Sequence, residues 1–362
     1  MKSTNIGLIG CGRIAGHHCR AIAKNENTNL ISVCDLDLDK AQKYADKYNV
    51  SAYTNYREML SEERLIDTVA IITPSGMHYK HAQEIVKNYK KNIIVEKPTF
   101  LKTSHFNEIL ELAKRYNLEV FPVFQNRHNL AVQRVRDSLL KNELGKINLV
   151  SVRVRWCRPQ TYYDLAPWRG TFAMDGGCLT NQGIHHLDLM RYLGGEISDV
   201  NATMRTFEVN IEVEDAVVGT VKYKNGSIGT LEVTTAARPQ DFEASISIIG
   251  SKGMAQIGGI AVNELQIFTP NPDDCAKFSE DFSGCVYGNG HYIIYDEVCN
   301  HMNKQNNFSV NNNDAMKTVE LLNAFYKSHE ENRNIELCND KFVESINLGK
   351  HDQELSELYS CK

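Results

Sequence analysis

Lys97 and His185 are the residues of this chain whose types and settings most directly suit proton handling. Lys97 stands in Glu96-Lys97-Pro98, just after a short apolar run. There an ammonium can donate a hydrogen bond to a hydroxyl or carbonyl oxygen and lower a proton-transfer barrier. His185 stands in Asp175-Gly176-Gly177-Cys178-Leu179-Thr180-Asn181-Gln182-Gly183-Ile184-His185-His186-Leu187-Asp188, a glycine-rich loop feeding a helix. Imidazole titrates near neutrality, which suits reversible proton transfer. Asn181 and His185 are four residues apart, so they are expected on adjacent turns of one face. Asp188, three residues beyond His185, is placed to orient the ring. Either Lys97 or His185 can be the immediate base, and the residues alone leave both assignments open.

A second constellation would hold the partner for such chemistry. Gly10-Cys11-Gly12-Arg13-Ile14-Ala15 follows a predicted strand and opens a predicted helix. Gly10 permits the tight turn, Gly12 lets the backbone approach a pyrophosphate, and Ala15 allows close helix–strand packing. The N–H groups and dipole of the helix N-terminus, from Arg13 and Ile14 onward, would hold the phosphate charge. Asp35 ends the second strand, 23 residues beyond Gly12, placed to accept hydrogen bonds from an adenosine ribose. Its charge would repel a 2′-phosphate, and no Arg follows at once, so NAD is expected over NADP. The plainer reading of Asp35 is a helix cap. Thr73-Pro74 closes the third strand on the same edge, and His78 either touches the cofactor or makes a helix-terminal hydrogen bond. His17 and His18 read as packing or capping residues.

These groups need a scaffold, and the first 125 residues supply its pattern. Strands are predicted at 6–9, 30–34, 68–72, 93–95 and 119–124, with helices at 14–24, 38–48, 78–88 and 101–116 between them. Continuous β-branched runs alternating with helices mark a parallel sheet covered on both faces. Right-handed crossovers then give a doubly wound α/β domain over residues 1–125. After that the grammar changes. A helix at 131–142 precedes longer alternating strands at 147–157, 200–209, 213–222, 226–234 and 243–250. Asn225-Gly226 and Ser251-Lys252-Gly253 read as turns, the first a hairpin signal. Residues 126–362 therefore form an α+β domain with a large, mostly antiparallel sheet, interrupted by a helix at 183–193. Helices at 290–303 and 313–329 follow, and 330–362 adds a strand and a terminal helix that either stays with this domain or packs back on the first.

Composition narrows the function. At about 150 residues per domain, 362 residues favour two domains. With 40 basic and 45 acidic residues the net charge is −5, so the basic surplus of a nucleic-acid binder is missing. No apolar run approaches the roughly 18–20 residues that span a membrane. The start passes directly into a strand and reads as neither signal nor transit peptide. None of the ten cysteines forms a CxxC pair. A cytoplasmic protein fits these features. His185, His186 and Asp188 are close, but no HExxH or cysteine-rich second ligand group accompanies them, and no metal is expected.

Arg153, Arg155 and Arg158 surround Trp156 on the first strand of the second domain. One of them receives a sugar carboxylate or a diphosphate, or all belong to an ion network on the sheet. Tyr162 and Tyr163 line a cleft or simply pack, and His291 is equally open.

The chain resembles the glucose-fructose oxidoreductase/inositol dehydrogenase (Gfo/Idh/MocA) family over nearly its whole length. GLIGCGRIAGHH at 7–18, TPSGMH at 73–78, EKP at 96–98 and GGCLTNQGIHHLD at 176–188 carry the resemblance. FQNR at 124–127, YYDLAPWRGTFAMDGG at 162–177 and NQGIH at 181–185 are similar to a branch that oxidises C3 of a UDP-linked sugar acid, UDP-2-acetamido-2-deoxy-D-glucuronate, for surface-glycan biosynthesis. The resemblance implies a Rossmann domain and NAD. It makes Lys97 and His185 catalytic, with Asn181 orienting a sugar hydroxyl or a ring nitrogen. It places Gln125, Trp168 and Arg169 beside the cofactor, and Lys97, Asn181 and His185 beside the sugar; from the residues themselves, Glu96 is expected beside the cofactor, and Arg155, Arg158 and Tyr163 beside the sugar. It implies a homodimer or homotetramer, and an aminotransferase as the next enzyme. Asn181 departs from the Asp of many members and argues against a carboxylate relay. Cys178 replaces a glycine of the usual GGG and reads as loop packing. Action on an inositol, free sugar or deoxysugar nucleotide, a noncatalytic NAD-linked regulator and an NAD-retaining glycoside hydrolase remain the alternatives.

Overall fold

The structure, a computed structural model, describes residues 2–282, 287–337 and 342–361. Contacts divide the chain into two compact units: 1–124 with 291–316 and 351–362, and 125–290 with 317–350.

In the first unit, six strands run parallel: β1 (Thr4–Ile9), β2 (Thr28–Cys34), β3 (Ser51–Tyr53), β4 (Thr68–Ile71), β5 (Asn92–Val95) and β6 (Val120–Pro122). Their order is β3-β2-β1-β4-β5-β6, the doubly wound arrangement of a dinucleotide-binding Rossmann sheet. β4 and β5 are buried at every residue, as strands covered on both faces must be. One face packs Ile6, Leu8, Val33 and Ala70 against Ala15, Cys19 and Ile22 of helix Ala15–Lys24. Ile294, Tyr295 and Val298 of helix Gly290–Met302 join this core. The C-terminal residues lie against the same unit, where Lys80 Nζ donates to Ser360 Oγ at 2.7 Å. β3 and helix Tyr56–Glu62 were not anticipated. β3 is a three-residue edge strand with no fully buried side chain, too short for a period-2 signal.

The second unit holds an eight-stranded sheet. Its strands are β7 (Ile147–Arg155), β8 (Ile197–Arg205), β9 (Ala216–Tyr223), β10 (Ile228–Thr234), β11 (Glu243–Gly250), β12 (Met254–Gly258), β13 (Glu264–Phe268) and β14 (Ile335–Glu336). The order is β13-β12-β11-β7-β10-β9-β8-β14. Neighbours are antiparallel except β7 and β10, which run parallel, so the sheet is mixed at its centre. The Asn225-Gly226 turn joins β9 to β10, with Gly226 at φ +87° as a tight hairpin turn requires. Ser251–Gly253 joins β11 to β12. β9 alternates strictly between buried and exposed, giving one face to helix packing and one to the outside. Residues 338–341 of the expected C-terminal strand-and-helix stretch lie outside the described residues. Among the described residues no helix is long and apolar enough to cross a membrane.

Candidate active site

The first unit gathers its chemistry at one edge of the parallel sheet. Gly10, Asp35, Thr73-Pro74 and Glu96-Lys97 follow the carboxyl ends of β1, β2, β4 and β5, where open α/β sheets bind ligands. Gly10 has φ +97°, and a Cβ there would stand 2.5 Å from the Ile72 carbonyl oxygen. The crossing of two loops therefore demands glycine. Gly12 is different: an added Cβ would meet nothing within 4 Å. Nothing inside the protein requires glycine at that exposed position, whereas a pyrophosphate approaching the backbone would. Ile14, at the cap of helix Ala15–Lys24, brings no capping side chain, which suits a helix end that receives phosphate. The loop fits a dinucleotide.

Asp35 Oδ2 accepts the Cys11 backbone N–H at 2.7 Å, and Oδ1 accepts that of Asp37 at 3.0 Å. The cap of helix Leu38–Tyr48 is Asp37, whose side chain accepts from the N–H groups of Asp39 and Lys40. Asp35 therefore shapes the glycine loop and leaves capping to its neighbour. NAD should bind at least about tenfold more tightly than NADP, equivalent to roughly 1.4 kcal/mol of repulsion at a 2′-phosphate. Parallel titrations at one ionic strength measure this. Equal affinities would remove the assignment, and Asp35→Ser should narrow the gap.

His78 is buried and bridges two loops: Nε2 lies 2.8 Å from the Thr73 carbonyl oxygen and Nδ1 3.1 Å from that of Thr99. Thr73 Oγ1 is 3.0 Å from His81 Nδ1. Glu96, expected beside the cofactor, is turned inward. Its Oε1 lies 3.0 Å from His18 Nε2 and 3.2 Å from His291 Nε2, and its Oε2 accepts the Lys97 backbone N–H at 3.1 Å. Burial opposes this carboxylate, but hydrogen bonds from the two imidazoles hold it well below the usual carboxylate range.

In the second unit, Gln125 Nε2 lies 3.1 Å from His185 Nε2. In this arrangement the amide NH2 donates and the imidazole nitrogen accepts. Asp188 does not orient His185, contrary to the spacing argument. Its carboxylate takes Arg127 Nε at 2.7 Å and NH2 at 2.5 Å, and accepts the Thr318 hydroxyl at 2.8 Å. A bidentate guanidinium outcompetes a histidine three residues back. Asn181 and His185 do not share one continuous helix either. Asn181 ends the short helix Cys178–Asn181, and His185 opens Ile184–Gly194 after Gln182-Gly183. Asn181 Nδ2 donates to Asp175 Oδ1 at 2.6 Å, while Asp175 Oδ2 accepts the Gly170 N–H at 2.9 Å. Asp175 thus ties the Asn181 turn to the Trp168-Arg169-Gly170 loop. The Tyr162 hydroxyl receives Arg169 NH1 at 2.6 Å and Gln182 Nε2 at 3.3 Å, and the Arg169 guanidinium lies 4.4 Å from both the Tyr162 and Trp168 ring centres. Asp175, Tyr162 and Arg127 were not singled out from sequence for these roles, because each acts through a partner that only the fold brings close.

Arg155 is bidentate to Glu232 at 2.6 and 2.9 Å and reaches Glu243 at 3.2 Å. Arg158 pairs with Asp241 at 2.8 Å. Arg155 also borders an open cavity of about 490 Å³, together with Arg238, Asp241 and Phe242. Tyr163 is buried with its hydroxyl 3.1 Å from Thr235 Oγ1. Beneath the glycine-rich loop, burial pushes the Glu214 carboxyl up to about 7; its Oε1 accepts the Leu179 N–H and the Tyr326 hydroxyl. Cys178 is fully buried, and burial pushes its thiol well above the ordinary range, as loop packing rather than nucleophilic chemistry requires.

A parallel Rossmann sheet with an open glycine loop, followed by a mixed-sheet domain, is the architecture of a dinucleotide-linked oxidoreductase. Residues 4–124 match the oxidoreductase family with NAD-binding Rossmann fold, and residues 132–256 match the Gfo/Idh/MocA C-terminal domain. The WlbA dehydrogenase from Bordetella pertussis, in complex with NADH and UDP-GlcNAcA, is 32% identical with a TM-score of 0.89, covering 94% of this chain and 99% of that one. WlbA from Chromobacterium violaceum, in complex with the same two molecules, is 32% identical at a TM-score of 0.86, covering 94% and 98%. D-glucoside 3-dehydrogenase of Escherichia coli is 24% identical over 358 residues, 92% of this chain and 97% of that protein. The chain belongs to the Gfo/Idh/MocA family of NAD-binding oxidoreductases.

Proposed function

We propose that this protein oxidises the C3 hydroxyl of UDP-2-acetamido-2-deoxy-D-glucuronate to the 3-keto sugar with NAD. The observation that carries this reading is the similarity, over 94% of the chain, to two enzymes solved with NADH and UDP-GlcNAcA. NAD, when bound, supplies the hydride acceptor. Gly10, Gly12, Arg13 and Ile14 would hold its pyrophosphate, Asp35 its adenosine ribose, and Thr73, Pro74 and His78 the loop beside it. Gln125, Trp168 and Arg169 would complete the cofactor's surroundings, while Glu96, turned inward onto His18 and His291, would not. His185 takes the hydroxyl proton at Nε2, where the sugar hydroxyl replaces the Gln125 amide as its partner. Lys97 stabilises the sugar oxygen as its proton leaves. Asn181, held by Asp175, orients the sugar.

Tyr163, Arg155 and Arg158 are assigned to the sugar nucleotide, with the arginines re-pairing from their carboxylate partners to its acid or diphosphate groups. The outward face of the second sheet exposes Val218, Ile228 and Ile249, and we assign self-association to it. The ketone product suits an aminotransferase as the next step, in the cytoplasm where UDP-sugars are made.

The test is a substrate panel with purified protein: UDP-2-acetamido-2-deoxy-D-glucuronate, the corresponding neutral UDP-sugar, free sugars and an inositol. NADH is followed by absorbance and the oxidised carbon by NMR. Preferential NADH formation with the sugar acid, oxidised at C3, is expected. Turnover of a free sugar or inositol in preference to it would reassign the enzyme.

A further inference from the structure

The buried polar cluster of the first unit takes no part in the proton chemistry proposed above, yet it touches the backbone of Lys97. Glu96, His18 and His291 are 6%, 0% and 1% exposed. They come from the end of β5, helix Ala15–Lys24 and helix Gly290–Met302. One carboxylate oxygen lies within hydrogen-bond distance of both imidazole Nε2 atoms, and the other accepts the Lys97 N–H. Burial pushes the His18 imidazole down, favouring its neutral form. With its Nε2–H given to Glu96, His18 Nδ1 accepts the Tyr295 hydroxyl at 2.8 Å.

Three such groups so close together could also hold a metal ion. Coordination would need each nitrogen to turn a lone pair toward a common point about 2.0–2.1 Å away. Here both Nε2 atoms instead face one carboxylate oxygen at 3.0 and 3.2 Å, the spacing of N–H donors. The cluster is a hydrogen-bonded one.

Burying a carboxylate carries a desolvation cost that an apolar residue of similar volume would avoid. What the carboxylate provides is two oxygens, and so simultaneous acceptors for two histidines from different helices and for the backbone of the next residue. We propose that Glu96 is a positioning residue: anchored by His18 and His291, it fixes the backbone of Lys97, and thereby the reach of its ammonium, relative to the helix that follows the dinucleotide loop. The proposal rests on Lys97 acting in hydride transfer.

The test uses the full-length protein with Glu96→Gln, His291→Leu and His291→Gln. An amide has one acceptor oxygen, so Glu96→Gln leaves at least one of the three donors poorly paired. Its single-turnover hydride transfer should fall about 10–100-fold, in line with the effect of roughly 1 Å of misplacement. NAD affinity should stay within about threefold, because only a backbone clamp has changed. His291→Leu removes one anchor and should slow the same step. His291→Gln carries an amide N–H to the place of Nε2 and should recover most of the rate. That recovery keeps the proposal testable even if Glu96→Gln does not fold. A wild-type rate in Glu96→Gln, a His291→Gln variant as slow as His291→Leu, or one equivalent of bound metal in the wild type would each overturn it. If the wild type oxidises no sugar on the panel, the functional reading fails on its own. Crystal structures of wild type and His291→Leu then decide: displacement of the Lys97 backbone supports the clamp, and an unchanged backbone overturns it.

Discussion

Lys97→Met and His185→Asn are each expected to lower single-turnover NADH formation by about 10²–10⁴-fold, the range of a direct general acid–base role. Methionine keeps most of the reach of lysine but donates no hydrogen bond to a developing oxyanion. Asparagine keeps a polar side chain at 185 but has no nitrogen lone pair to accept a proton. Lys97 is half-buried in a turn after β5, and His185 is half-buried at the start of a packed helix. Neither replacement removes a large apolar surface, so folding and most NAD affinity should survive. Asn181→Ala should act otherwise. It frees Asp175 from its 2.6 Å partner and weakens sugar binding along with the rate. The measurement is rapid mixing at saturating sugar, paired with direct binding of NAD and of the sugar nucleotide. If the Lys97 and His185 variants both keep near-normal single-turnover rates, the assigned centre is wrong even in a working dehydrogenase.

What the sequence made legible follows the range of the interactions concerned. Gly10, Gly12 and Asp35 lie within 25 residues of each other, and their roles rest on local geometry: a positive φ, an open loop and a strand end. The parallel strands were readable because full burial writes an unbroken apolar run, as in Ile93–Val95 within β5. The parallel pairing of β7 with β10 was not readable, because 79 residues separate the paired positions Val152 and Leu231 on average-looking alternating strands. At the site, spacing along one helix suggested Asp188 for His185, and the fold overruled it with a partner 61 residues away in Arg127. Gln125, which does contact His185, lies 60 residues from it. Glu96 illustrates the same limit. Beside a motif lysine it reads as a site residue, and only the arrival of His291, 195 residues on, shows where its carboxylate is engaged.

That displaced partner leads to the largest expected loss of stability. Arg127 and Asp188 are 4% and 1% exposed at their side chains and make two short, parallel hydrogen bonds. The guanidinium also lies 4.6 Å from the Tyr192 ring centre, so its apolar surroundings leave it little water to turn to. Asp188→Ala should therefore destabilise the protein by about 3–5 kcal/mol, chiefly by stranding a buried guanidinium. Denaturant unfolding followed by tryptophan fluorescence would register it as a lower midpoint. Replacing both partners, Arg127→Met with Asp188→Leu, removes both charges and should regain much of that stability, since a well-packed apolar pair often equals a buried ion pair. The two variants separate stability from geometry. Arg127 sits in the turn Gln125–His128, and Asp188 sits one turn beyond His185 on helix Ile184–Gly194, so the pair locks the Gln125–His185 contact. The double variant should be stable and yet slow, because packing restores cohesion without the fixed, two-point alignment of a fork on a carboxylate. A double variant that recovers stability and full hydride-transfer rate together would show that the ion pair holds the fold and does nothing to aim the histidine.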